Sequence, residues 1–168
     1  MFSFINTDDF CQYWKNLDEM ILSSPNYPKS YNADGVRCEW LISAQEGSII
    51  ALEFNDFDVS NLLDFVMKFA ITFLFQVSYH LFLNFVSLYD GTCDQNKKLA
   101  TLTEKMPNDD KWIISTSGHH MFVIFSKSRY YESLYPGFHA KIHHGKKLKH
   151  IKIVHQKILI YFQSIVQM

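Results

Sequence analysis

Three cysteines and eight histidines are the side chains of this 168-residue sequence with the most chemistry open to them. Cys11, Cys38 and Cys93 are odd in number, so at most one disulfide closes within the chain and one thiol is left over. His139, His143 and His144 cluster in a way that invites a metal ion. His139 and His143 have the same parity, so a continuous strand puts them on one face but about 13 Å apart, too far for one ion without a bend. Surface histidines are the expectation, and no metal is assigned. There is no nucleophile elbow, zinc-protease helix, phosphate-binding loop or paired-carboxylate motif, so no enzyme is expected. A formal net charge of -1 gives no overall field to recruit nucleic acid.

The elements that must position these residues read as strands. Hydrophobic residues make up 48% of the chain, and fifteen phenylalanines and nine tyrosines favour β structure. Ser23-Ser24-Pro25-Asn26-Tyr27-Pro28 is turn chemistry, because both prolines fix φ and Asn26 tolerates turn conformations. Cys38, Trp40 and Ile42 then alternate with Glu39 and Leu41, the period of a half-buried strand. Ile50, Leu52 and Phe54 alternate in the same way with Ala51, Glu53 and Asn55. Two more strands are expected at Ile113–Ser115 and Met121–Phe125, joined by Ser117-Gly118-His119.

The SPNYP turn, Tyr31 a few residues on and the Cys38-x-Trp40-x-Ile42 strand together resemble the CUB domain family. The segment Ile50-x-Leu52-x-Phe54-x-x-Phe57, the Tyr89-Asp90-Gly91 turn and Gly137-Phe138-His139-Ala140 match further family motifs. The resemblance covers about residues 11–143. It implies an all-β, two-sheet antiparallel β-sandwich of CUB, jelly-roll-like type, with 1–10 a lead-in and 144–168 a basic and apolar tail. It also implies that Cys11 pairs with Cys38, closing a loop whose restraint is worth about 3–4 kcal/mol in the entropic account. The family's second disulfide is missing: its cysteines would fall near Asn61 and Ala100, and Cys93 matches neither. Cys93 is expected as a buried free thiol, with a cysteine on another chain the alternative partner.

Many members of the family bind Ca²⁺ through three acidic side chains, and calcium affinity depends on anionic oxygen ligands. Here Ser60 stands at the first acidic position and Ser128, beside Arg129, at the third. Only Asp64 remains, together with Tyr31, which matches the tyrosine that orients the site. The resemblance therefore implies that calcium is possible but not expected, and no other cofactor is.

Residues 65–86 interrupt the pattern with an almost wholly apolar run, whose strongly polar side chains are Lys68 and His80. Deleting 67–86 joins Asp64-Phe65-Val66 to Ser87-Leu88-Tyr89-Asp90-Gly91 and restores a family-like strand with Val66 and Leu88 inward. A retained intron, a transmembrane helix and the start of a signal peptide are the three readings of this insert. A true span would tear the sheet, since its strand halves would end on opposite sides of a bilayer. In the tail, Leu148, Ile151, Ile158, Phe162 and Ile165 fall near helical spacing among lysines, so a helix touching an anionic surface over 146–166 is one expectation. Strand and loosely docked or non-native tail are the others.

The expected role is a non-enzymatic extracellular binding module that recognises an unknown protein or glycan, with no nucleic-acid partner. The alternatives are a membrane-anchored protein, through 65–86 or 146–166, and an accessory domain of a secreted multidomain protease. The N-terminus is too short and too acidic for a secretory signal, so a secreted protein would require a mature form or an incomplete gene prediction.

Overall fold

The computed structural model describes residues 20–31, 36–59, 84–103, 105–107, 111–127 and 135–146. Within them the chain forms eight strands: β1 (Ile21–Ser23), β2 (Arg37–Ser43), β3 (Ile49–Asp58), β4 (Phe85–Asp90), β5 (Lys97–Leu102), β6 (Trp112–Ser115), β7 (His120–Ser126) and β8 (Gly137–Gly145). They make two antiparallel sheets, one ordered β1-β8-β3-β6 and the other β2-β7-β4-β5. This is the expected sandwich.

Alternation sends one side of every strand into the space between the sheets. Cys38, Trp40 and Ile42 from β2 and Met121, Val123 and Phe125 from β7 are fully buried, and face Ile50, Leu52 and Phe54 from β3. Rings join the two layers: Trp40 meets Phe138 edge-on at 6.1 Å, and Phe125 meets Phe138 at 5.8 Å. The register of β3 against β8 shifts between Phe54 and Asp56, a bulge that turns Phe57 inward three residues after Phe54. That bulge is the physical content of the Phe-x-x-Phe spacing.

Two expectations need adjustment. β4 begins at Phe85, so Phe85 and the fully buried Val86 belong to the sheet and not to an insert ending at 86. The Phe-Val pair occurs at both edges of the apolar run, and the ladder uses the second one. Ser117-Gly118-His119 joins β6 to β7 as expected and carries the chain from one sheet to the other. β5, with its exposed Lys97 and Lys98, has too little alternation to announce itself, and pairing with β4 forms it. β8 runs to Gly145, past the expected domain end at 143. The remainder of the insert and of the tail, the expected helix included, lies outside the described residues.

Candidate functional site

The proline-rich turn organises one end of the sandwich. Asn26 takes a positive φ of 62°, Tyr27 N–H donates to the Ser24 carbonyl at 3.3 Å, and Lys29 N–H donates to the Asn26 carbonyl at 2.8 Å. The chain then delivers Tyr31 into the core, fully buried and edge-on to Phe125 at 5.1 Å. Ser24 fastens the turn to β8: its Oγ accepts from Phe138 N–H at 3.0 Å and donates to the Pro136 carbonyl at 3.3 Å. Gly137 has φ of +95°, and a Cβ there would collide with Ser24 Oγ and lie 3.2 Å from Tyr31 Cδ1. Only glycine permits this approach.

Of the residues singled out for calcium, Tyr31 is among the described residues, whereas Ser60, Asp64 and Ser128 lie outside them. The side chain found on the Tyr31 hydroxyl is Asn84, whose amide donates to it at 3.3 Å. Asn84-Phe85-Val86 repeats the form of Asp64-Phe65-Val66, so the repeated Phe-Val pair was the signal that could have found it. The β4–β7 ladder ends at the Phe85–Ser126 rung, which makes Asn84 and Lys127 the next residues past it on either strand. Lys127 is only 3% exposed. Two carboxylates of β3 reach the same end and both are engaged. Asp58, 5% exposed, lies 3.4 Å from Lys105 Nζ, and Asp56 accepts from the Tyr27 hydroxyl at 2.9 Å. Burial first, then that hydrogen bond and the Asp56 charge, push the Tyr27 phenol up to about 12.

The histidines are dispersed along β8. His139 stacks on Tyr27 at 5.3 Å, and His143 Nε2 lies 2.9 Å from Glu53 Oε2. Glu53 also accepts from Lys111 Nζ at 2.7 Å, and that bond, with His143 contributing, holds its carboxyl below the usual range against the opposing pull of burial. On the other sheet Ser43 Oγ and His120 Nδ1 are 2.9 Å apart, with the His119 ring 4.0 Å from His120. Burial and His119 lower the His120 pKa. Among the described residues no three or more His, Cys, Asp or Glu side chains are grouped to hold a metal ion. Cys38 is fully buried, and its expected partner Cys11 lies outside the described residues. Cys93 is free as expected but not buried: it sits half-exposed in the turn after Gly91, its backbone N–H donating to Asn96 Oδ1 at 3.0 Å.

The class this architecture defines is the two-sheet antiparallel β-sandwich. A profile of the CUB domain family matches residues 11–142, most of the chain, and the chain belongs to that family. In sequence it is similar to Cubilin of Sus scrofa, 48% identical over 42 residues, which are 25% of this chain and 1% of that protein. It is also similar to Cubilin homolog of Drosophila melanogaster, 32% identical over 117 residues, which are 70% of this chain and 2% of the relative. The chain thus spans 1–2% of the length of these relatives. In structure it is similar to the CUB1-EGF-CUB2 domain of human MASP-1/3, with a TM-score of 0.55 and 21% identity, over 74% of this chain and 40% of that one. The CUB1-EGF-CUB2 domains of rat MASP-1 give 0.53 and 18%, over 79% and 44%. At those identities the likeness is one of fold. CUB domains are in general non-catalytic modules for protein–protein interaction in extracellular proteins.

Proposed function

We propose that this chain is an extracellular binding module that recognises a protein partner and performs no catalysis of its own. The observation that carries the reading is the family match over 11–142, to which the two four-stranded sheets of the described residues add the fold, since fold alone does not fix function. Among the described residues no helix is long and apolar enough to cross a membrane, which leaves the anchored alternative to the undescribed stretches. The fully buried Cys38, together with a free Cys93, supports a Cys11–Cys38 disulfide formed in an oxidising compartment. The test is secretion of the full chain from animal cells, followed by cross-linking to extracellular proteins and a parallel glycan array. Saturable, competable cross-linking to a protein supports the reading; glycan binding without it, or recovery only in the membrane fraction, overturns it. Non-reducing peptide mapping of the same material is expected to recover Cys11 linked to Cys38, and a Cys11–Cys93 link would contradict the strand order.

The module works without calcium on this reading. Two things support this reading: the serines at two of the three acidic positions, and the neutral Asn84 amide that donates to the Tyr31 hydroxyl. Loss of anionic ligands weakens calcium binding steeply. Melting curves in millimolar calcium and in chelator are expected to coincide, because only a ligand of the folded state raises the midpoint. A rise of several degrees in calcium would show that a site survives.

A further inference from the structure

The end of the sandwich away from the proline-rich turn is closed by the loop 116–119, which carries the chain between the sheets. Contacts to β4, β3 and the end of β2 hold it there. Asp90, the last residue of β4, accepts from Ser117 N–H at 3.1 Å and from Ser117 Oγ at 2.7 Å. Thr116 Oγ1 accepts from Ile50 N–H at 2.9 Å and donates to the Gly118 carbonyl at 2.6 Å. On the β2 side Ala44 N–H donates to the His119 carbonyl at 2.8 Å, and Ser43 Oγ lies 2.9 Å from His120 Nδ1.

His119 lies in the bend before β7 and His120 is the first residue of that strand. The bend brings together two neighbours that a continuous strand would send to opposite faces, and their ring centroids are 4.0 Å apart. Neither ring has a counter-charge, since among the described residues no salt bridge joins either to a carboxylate. Each neighbouring element presents something else. β2 offers Ser43, while its charges Arg37 and Glu39 pair with each other at 2.6 Å. β4 offers Asp90, opposite Met121 and turned to Ser117, with Lys97 of β5 across from it. Glu46 and Asp94 on the flanking loops are exposed, and Asp94 approaches Arg37 at 3.9 Å. Across the core, Glu53, Asp56 and Asp58 of β3 are engaged by Lys111, Tyr27 and Lys105.

Two rings in contact without a counter-ion tolerate one charge far better than two. Burial first, then His119, hold the His120 pKa below its ordinary 6.5. An opened arrangement therefore takes the proton before the closed one does, so acid draws this end open. We propose that the His119–His120 pair is an acid-sensitive latch, whose protonation parts the two rings and frees the loop 116–119 from β2 at the Ala44–His119 bond. At neutral pH the latch is closed. Acidification opens it and leaves the opposite end of the same two strands in place, where Lys127 N–H donates to the Val36 carbonyl at 2.8 Å. Such a latch goes beyond the binding-module reading and does not depend on what the module binds.

The test is native-state hydrogen exchange on the full chain, read by NMR at pH 7.5 and pH 5.5 and corrected for the intrinsic pH dependence of exchange. Protection of the Ala44 amide is expected to fall at least about tenfold in acid, and that of the Lys127 amide less than about twofold. In His119→Gln the loss at Ala44 should shrink below about threefold, because a single imidazolium then has no charged neighbour. Combining it with His120→Gln should abolish the loss. Circular dichroism melts at pH 7.5 show whether the variants fold, and the comparison of Ala44 with Lys127 in the parent decides the matter if they do not. Unchanged protection at Ala44 overturns the latch. An equal loss at Lys127 overturns it too, because the whole sandwich would then be opening. So does a loss that persists in the double variant, which would belong to another group.

Discussion

The two outer faces of the sandwich are built on the same plan and finished differently. On the β1-β8-β3-β6 sheet the outward side chains satisfy one another: Glu53 takes both Lys111 and His143, while Tyr27 bonds Asp56 and stacks on His139. On the β2-β7-β4-β5 sheet the corresponding positions are Leu41, Phe122, Ile124, Tyr89 and Phe85. A closed set of ion pairs and hydrogen bonds gains little from a partner, because contact would desolvate groups that are already satisfied. An apolar band gains from every apolar contact, roughly 25 cal/mol per Å² removed from water. One outer face is therefore finished by ion pairs and hydrogen bonds and the other by apolar side chains, of which Tyr89 and Ile124 are themselves buried.

The contrast supposes that both sheets belong to one cooperative unit, and the seam at Gly137 is where that supposition breaks most readily. Gly137→Ala is expected to cost about 3 kcal/mol, combining positive-φ strain with a collision against Ser24 Oγ. Thermal unfolding followed by circular dichroism should stay a single transition at a lower midpoint. A midpoint within a degree of the parent would show that the turn yields without affecting either face. Two separated transitions would show that the faces are independent.

Much of this arrangement was legible in advance. Strict alternation in Cys38–Ile42 and Ile50–Phe54 identified the inward sides of β2 and β3, because period two and one-sided burial are the same fact. What alternation could not give was the outer face of a central strand. Ile124 is 2% exposed although its register, opposite Glu39 and Ser87, places it outside. Asn84 was hidden for another reason. Two Phe-Val pairs flank the apolar run, and only the ladder decides which enters the sheet.

Equivalent substitutions on the two faces sharpen the comparison at intermediate size. Ile124→Ser removes an apolar side chain from a covered position and is expected to lose about 2 kcal/mol in urea unfolding. Ile113→Ser, opposite Glu53 on the polar face, removes the same atoms from a half-exposed one and should lose less than about 1 kcal/mol. Equal losses would mean that the two faces are covered alike, and the asymmetry argued above would fail.

The smallest effect separates the faces by pH. The Glu53 carboxyl is held below its ordinary 4.5, chiefly by the Lys111 bond. A group with a lowered folded pKa adds stability above its unfolded value, and that contribution is lost as pH falls through the folded one. The polar face should therefore lose this contribution only in acid, from about pH 4.5 downward, and Glu53→Gln should flatten that part of the stability curve. His120 on the other sheet is also lowered from its ordinary 6.5, by burial and by His119. The same sign applies: the unfolded chain takes the proton first, so this contribution is lost as pH falls below 6.5. His120→Gln should flatten the curve between that value and the carboxylate range while leaving the Glu53 limb unchanged. Melting midpoints from pH 8 to pH 3 for the parent and both variants resolve the two windows. A curve on which both substitutions act over the same range would show that the two faces do not titrate separately.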